Sequence, residues 1–149
     1  MKTIILVPRI AMFLKAMEYY GLNEVQGVEN NPQIVQFFKD IGHEWVQDDE
    51  TAWCGAFISF IAKQCNCQKS GRLDARSWLG VGRKTIHPAL GDIVIFWRES
   101  INSWKGHVGL YVNQDDEYIY CLGGNQNNQV NIRAYQKRML LDFRNIEYV

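Results

Sequence analysis

Cysteine is the side chain here best suited to attack a carbonyl, because its thiolate is a strong nucleophile at neutral pH. A free thiol of pKa about 8.5 is only slightly ionised there, so a reactive cysteine needs surroundings that favour the anion. The chain has four cysteines, Cys54, Cys65, Cys67 and Cys121. Cys65 and Cys67 fall at the end of an expected helix, and Cys121 in an expected strand with Tyr118, Ile119 and Tyr120. Cys54 differs. It lies in the first turn of an apolar run, Ala52-Trp-Cys-Gly-Ala-Phe-Ile-Ser-Phe-Ile-Ala62, where unpaired backbone N–H groups and the helix dipole favour negative charge. Gly55 and Ala56 add little bulk over the sulfur. The bland alternative is a small buried hydrophobe, the commonest role of a free cysteine.

A base must accompany the thiol, and the chain has three histidines. His43 lies in a Gly-His-Glu-Trp loop, and His87 precedes Pro88 in a linker. His107 opens Gly106-His-Val-Gly-Leu-Tyr-Val112, an expected strand that would hold the ring rigidly between two small neighbours. Strand alternation puts His107, Gly109 and Tyr111 on one face and Val108, Leu110 and Val112 on the other. A purely structural strand histidine is the competing reading.

The hairpin that follows supplies a third group. Its turn lies around Gln114-Asp-Asp-Glu117. A three-residue loop centred on Asp116 pairs His107 with Asn125. Centred on Asp115, it pairs His107 with Gly123 and leaves Asn125 diagonal on the same face. A two-residue loop turns Asn125 to the opposite face unless a bulge intervenes. In either favourable register a carboxamide oxygen stands beside the imidazole, where it can set tautomer and ring angle as the third member of a Cys-His-Asn set. An ordinary Gly-Gly-Asn-Gln turn is the alternative.

The elements that position these groups change character along the chain. Ile10, Phe13, Leu14, Met17 and Tyr20 recur at helical spacing up to Gly21. Pro32 suits a first turn, with Ile34, Val35, Phe38 and Ile41 as an apolar face ending at Gly42. The Cys54 helix is apolar nearly all round, as expected of a central one, with Asp48 to Thr51 offering capping oxygens and negative charge before it. Strand-like runs follow at Ile93–Trp97, Val108–Val112, Glu117–Leu122, Val130–Tyr135 and Leu140–Val149. Helices first and strands afterwards predict an α+β fold, a helical layer on an antiparallel sheet of about five strands, in a single domain over 1–149.

Composition narrows the classes further. The chain has 149 residues, 16 basic against 16 acidic side chains and no net formal charge. No basic field is present to track nucleic acid, and no apolar run approaches the ~18 residues of a membrane span. Pro8, Arg9 and Lys15 break the short apolar start, so no Sec signal is expected and synthesis is placed in the cytoplasm. Cys65-Asn-Cys67 lacks the second ligand pair a zinc site needs, and reduced thiols are expected.

Four segments in order, Asp49-Glu-Thr-Ala-Trp-Cys54, Pro88-Ala-Leu-Gly-Asp-Ile-Val94, Gly106-His-Val-Gly109 and Leu122-Gly-Gly-Asn-Gln126, resemble the CHAP and NlpC-type cysteine hydrolases of bacterial peptidoglycan. Gly21-Leu-Asn-Glu-Val-Gln-Gly27 with Asn31-Pro32, and Ala75-Arg-Ser-Trp-Leu79, resemble a small branch common in phages and prophages. The likeness spans roughly residues 8 to 144. It implies a papain-like fold, no cofactor for catalysis, and cleavage of amide bonds in the cell wall, as an amidase on the sugar–peptide bond or an endopeptidase on the peptides. A phage endolysin or prophage lysin, monomeric and reaching the wall after release or delivery, is the expectation. Cys54 becomes the nucleophile, His107 the general base and Asn125 the orienting residue. Some CHAP enzymes carry a Glu two residues before the Asn; here that position is Gly123. Some also bind calcium near the nucleophile, which Asp48, Asp49 and Glu50 could do, although helix capping explains them as well.

The candidate substrate contacts are Trp53, Glu24, Asn31, Asp49, Trp78 and Gln126. Core packing competes with a groove role for Trp53 and Trp78, and helix capping competes for Glu24, Asn31 and Asp49. Gln126 is the candidate donor to substrate or oxyanion. Two other functions share these residues: an acyl-transferring or hydrolytic effector with a substrate outside the cell wall, and a wall-binding module without catalysis.

Overall fold

The computed structural model describes residues 5–24, 31–43 and 53–149. Helix α1 (Pro8–Met17) and helix α2 (Pro32–Asp40) both begin with proline, whose missing N–H costs nothing in a first turn. Asn31 caps α2, its side-chain oxygen accepting from the Gln33 N–H at 2.9 Å. Helix α3 (Cys54–Gln64) is buried at every position from Cys54 to Ala62, as its all-round apolar sequence requires. Its N-cap is Trp53, with no side-chain cap bond. Asp48, Asp49, Glu50 and Thr51, the expected capping residues, lie outside the described residues.

Among the described residues, six strands form one antiparallel sheet: β1 (Arg83–Thr85), β2 (Ile93–Trp97), β3 (Gly106–Gln114), β4 (Tyr118–Gln126), β5 (Gln129–Gln136) and β6 (Leu140–Asn145), in the spatial order β1-β6-β2-β3-β4-β5. The last five occupy the runs expected to be strands. The sixth, β1, escapes pattern reading because Arg-Lys-Thr at a sheet edge is short and buries no face. Among the described residues, no helix is long and apolar enough to cross a membrane.

The sheet has two apolar faces. Ile93, Ile95, Val108, Leu110, Leu122 and Val130 pack toward the helices, where Tyr19 meets Phe37, Phe57 and Phe60 edge-to-face and Phe37 lies tilted against Phe60. Each buried phenyl ring contributes about 1.5–3 kcal/mol of transfer free energy. On the opposite face, Val94, Phe96, Tyr111, Cys121 and Phe143 make a second cluster with Tyr135 and Met139.

Register decides what meets what. At the turn, Gln114 pairs with Ile119 and Asn113 with Tyr120. A bulge then shifts the ladder by one, so that Tyr111 pairs with Cys121 and Leu110 with Leu122. Extended further, this register would set residue 125 opposite residue 107. A second irregularity, between Gly123 and Gln126, intervenes in β4, and Asn125 sits there with φ +57°.

Candidate active site

The first turn of α3 touches both β3 and β4 at the point where they part. Their pairing runs from Gln114 to Leu110. Beyond it, the backbone N–H of Val108 lies close enough to the sulfur of Cys54 to favour its anion, as do the N–H groups of Gly55 and Cys54. On the β4 side, the approach is so close that a Cβ at Gly124 would lie 2.6 Å from the Trp53 ring and 2.9 Å from Phe57 Cβ. Gly55 has a packing reason of its own: a Cβ there would lie 2.3 Å from the Leu73 carbonyl oxygen. Glycines thus let the helix end reach the strands.

His107 projects to the face that carries Tyr111 and Cys121, and its ring stacks on Tyr135 with centroids 5.0 Å apart. Tyr135 stacks in turn on Phe96 at 4.5 Å. Nε2 of His107 lies 2.9 Å from Oε1 of Gln126. The Gln126 amide nitrogen is spent on the carbonyls of Cys121 and Asn131 and on Asn131 Oδ1, so its oxygen must face the ring. The Tyr135 hydroxyl donates to that same oxygen at 3.2 Å. Nε2 therefore carries the proton and donates, and Nδ1 is left as the basic nitrogen.

This corrects two expectations. The carboxamide on the imidazole belongs to Gln126, not Asn125, because the extra residue in the β4 bulge advances the side-chain alternation by one. Gln126 is buried with both ends of its amide engaged, so it has no donor to offer substrate or oxyanion. Gly123 is part of the same arrangement: a Cβ there would lie 2.7 Å from Gln126 Oε1 and 3.2 Å from His107 Nε2. The Glu that some CHAP enzymes place at this position would collide with the amide that occupies its space.

Burial favours the neutral forms of both His107 and Cys54. Desolvation lowers the His107 pKa to about 4, opposed in part by the Gln126 hydrogen bond and reinforced by the positive charges of Arg98 and Arg133. Desolvation also pushes the Cys54 thiol up, against the Val108 N–H, the Arg98 charge and the N–H groups of its own turn. A charge on Cys54 is felt by Cys121 and Tyr135, which places the sulfur within electrostatic reach of the face His107 occupies. At rest, then, Cys54 is a thiol and His107 a neutral imidazole.

The remaining candidates separate cleanly. Glu24 and Asn125 line a cleft of about 670 Å³ together with His107. Trp53 and Trp78 are fully buried, so neither presents a face to a ligand; Trp53 instead donates its indole N–H to Glu24 at 3.2 Å. Asn31 serves the helix cap described above and also donates to the Asn23 carbonyl. Asp49 lies outside the described residues. Cys54 lines a smaller cavity of about 250 Å³ with Trp104 and Gly106. Among the described residues, no cluster of three or more His, Cys, Asp or Glu side chains could hold a metal ion, and the cysteines are free thiols.

Sequence reasoning missed Tyr135, Arg98, Arg133 and the Val108 N–H. Tyr135 closes an alternating strand, and Arg98 directly follows the apolar run Ile93–Trp97; neither position by itself points to a distant histidine or cysteine.

These features define an α+β, papain-like fold, with N-terminal helices packed on an antiparallel sheet, a cysteine at a helix start and a histidine on a strand. No protein-family model and no curated protein matches the sequence. Among solved structures, the chain is similar to a Staphylococcus aureus protein described as similar to a lipoprotein of the NLP/P60 family, with a TM-score of 0.55 and 15% identity. The alignment covers 92% of this chain and 41% of the staphylococcal one, so the chain spans less than half the length of that protein.

Proposed function

We propose that this chain is a cysteine hydrolase that cleaves amide bonds of bacterial peptidoglycan, as an amidase or endopeptidase of a phage or prophage lysin. The reading is supported by Cys54 at the start of α3 close to the backbone of Val108, the residue next to His107, whose imidazole is held by Gln126. Likeness to an NLP/P60 structure and the wall-hydrolase motifs support the choice of substrate.

Nδ1 of His107 takes the Cys54 proton as the sulfur attacks the amide carbonyl carbon. The imidazolium exists only as the reaction proceeds, since burial disfavours it at rest. Backbone N–H groups at the start of α3 stabilise the negative charge that develops on the carbonyl oxygen. His107 then protonates the leaving amine, the C–N bond breaks and a thioester remains. Water, deprotonated by the same nitrogen, attacks the thioester to give a carboxylic acid and regenerate the thiol. Throughout, Gln126 holds Nε2 so that Nδ1 faces the chemistry.

Digestion of purified sacculi, followed by mass spectrometry of the products, tests the reading. Wild-type protein is expected to release new amino and carboxyl termini, and folded Cys54→Ala to release none. Equal products from both proteins would overturn it.

A further inference from the structure

Arg98 stands where the two halves of the site meet. It lines both the cleft that contains His107 and the cavity that contains Cys54. Its neighbours are occupied. Lys105 pairs with Glu99 at 2.7 Å, and Arg138 bonds Gln136 while its guanidinium lies 5.4 Å from the Trp97 ring centroid. Among the described residues, the side chains of Arg98 and Arg133 have neither a hydrogen bond nor an ion pair, and both are exposed.

The position is built. The Arg98 N–H bonds the Lys105 carbonyl, closing the loop that follows β2. Arg76 then clamps that loop with three hydrogen bonds, to the carbonyls of Lys105, Ile101 and Ser100, all at 2.7–2.8 Å. The loop is thus held in shape before any ligand arrives, which lowers the entropy cost of binding. Three arginines line the His107 cleft against one carboxylate, Glu24, which is held by the Trp53 indole. In a chain with no net charge, this is a local concentration of positive potential at the reacting centre.

We propose that Arg98, backed by Arg133, is an anion-recognition element that selects substrates carrying a free carboxylate close to the amide that Cys54 attacks. The inference rests on the hydrolase reading and gives it a substrate class: acidic stem peptides in preference to amidated ones. A guanidinium offers two parallel N–H donors to a carboxylate, whereas a carboxamide brings no charge and presents donors of its own to a cation. The side chain is a specificity determinant, and the chemistry itself stays with Cys54 and His107.

The test compares a soluble stem peptide bearing the carboxylate with the same peptide carrying a carboxamide there. Wild-type kcat/KM is expected to fall at least about tenfold on amidation. Arg98→Ala should lose a similar factor on the acidic peptide, mainly through KM, and little on the amidated one, so that discrimination disappears. Arg98→Lys should restore part of it. Equal, measurable hydrolysis of the two peptides by wild type, or an equal loss on both in Arg98→Ala, would overturn the proposal. Calorimetric binding by Cys54→Ala and by Cys54→Ala/Arg98→Ala decides the matter without turnover. Tighter binding of the acidic peptide, erased by the second substitution, upholds it even if wild type hydrolyses neither, an outcome that would sink the hydrolase reading alone. Equal binding of both peptides, or none, overturns the anion site.

Discussion

Nε2 of His107 and Oε1 of Gln126 are 2.9 Å apart across β3 and β4, although the simplest hairpin register would bring Asn125 to that place. The bulge at Asn125 makes the exchange, and the packed amide nitrogen of Gln126 fixes which end of the carboxamide the ring meets.

Substitutions at the two amides should therefore differ sharply. Gln126→Ala frees the ring and exposes the Tyr135 hydroxyl and Asn131 to a vacancy, and kcat should fall about a hundredfold, the usual scale for a misplaced catalytic group. Asn125→Gly suits the positive φ and should change kcat by no more than about threefold. Steady-state hydrolysis of a stem peptide checks both, and the reverse ranking would restore Asn125 as the orienting residue.

Acid should destabilise the fold through His107. The unfolded chain binds a proton at this residue below its ordinary value of 6.5, and the folded chain resists protonation until about pH 4. Stability is therefore complete above pH 6.5 and is lost as pH falls from 6.5 toward 4, by about 3 kcal/mol across the window. Urea unfolding of wild type at pH 7.5 and 4.5 should show most of that loss. In His107→Asn the loss should shrink, and an identical pH dependence in the two proteins would refute the assignment.

The seat of α3 makes a prediction independent of catalysis. Gly124→Ala places a methyl group 2.6 Å from the Trp53 ring, and relief requires moving either the strand or the helix end that carries Cys54. Overpacking of this kind costs about 1–3 kcal/mol, readable in the urea midpoint. A variant as stable as wild type would mean that the helix end is looser than this contact implies.

Much of this was legible in the residues. Period and punctuation located α1, α2 and α3 and five of the six strands, because each buries an apolar face that repeats at the spacing of its element. Cys54 and His107 stood out for the same local reasons, a helix start and a strand flanked by glycines. Trp53 and Trp78 show the limit, since an indole suits a groove or a core equally well by type, and only burial separates the two.

What the residues determined alone is the three helices, five of the strands, and the candidacy of Cys54 and His107. Tertiary structure decided the rest: that Gln126 and not Asn125 meets the imidazole, that Tyr135 stacks on it, and that Arg98 spans both cavities. The physical reason is register. A bulge shifts every side chain beyond it to the other face, and whether one forms depends on packing between segments far apart in sequence, here an α3 end that both strands must open to receive.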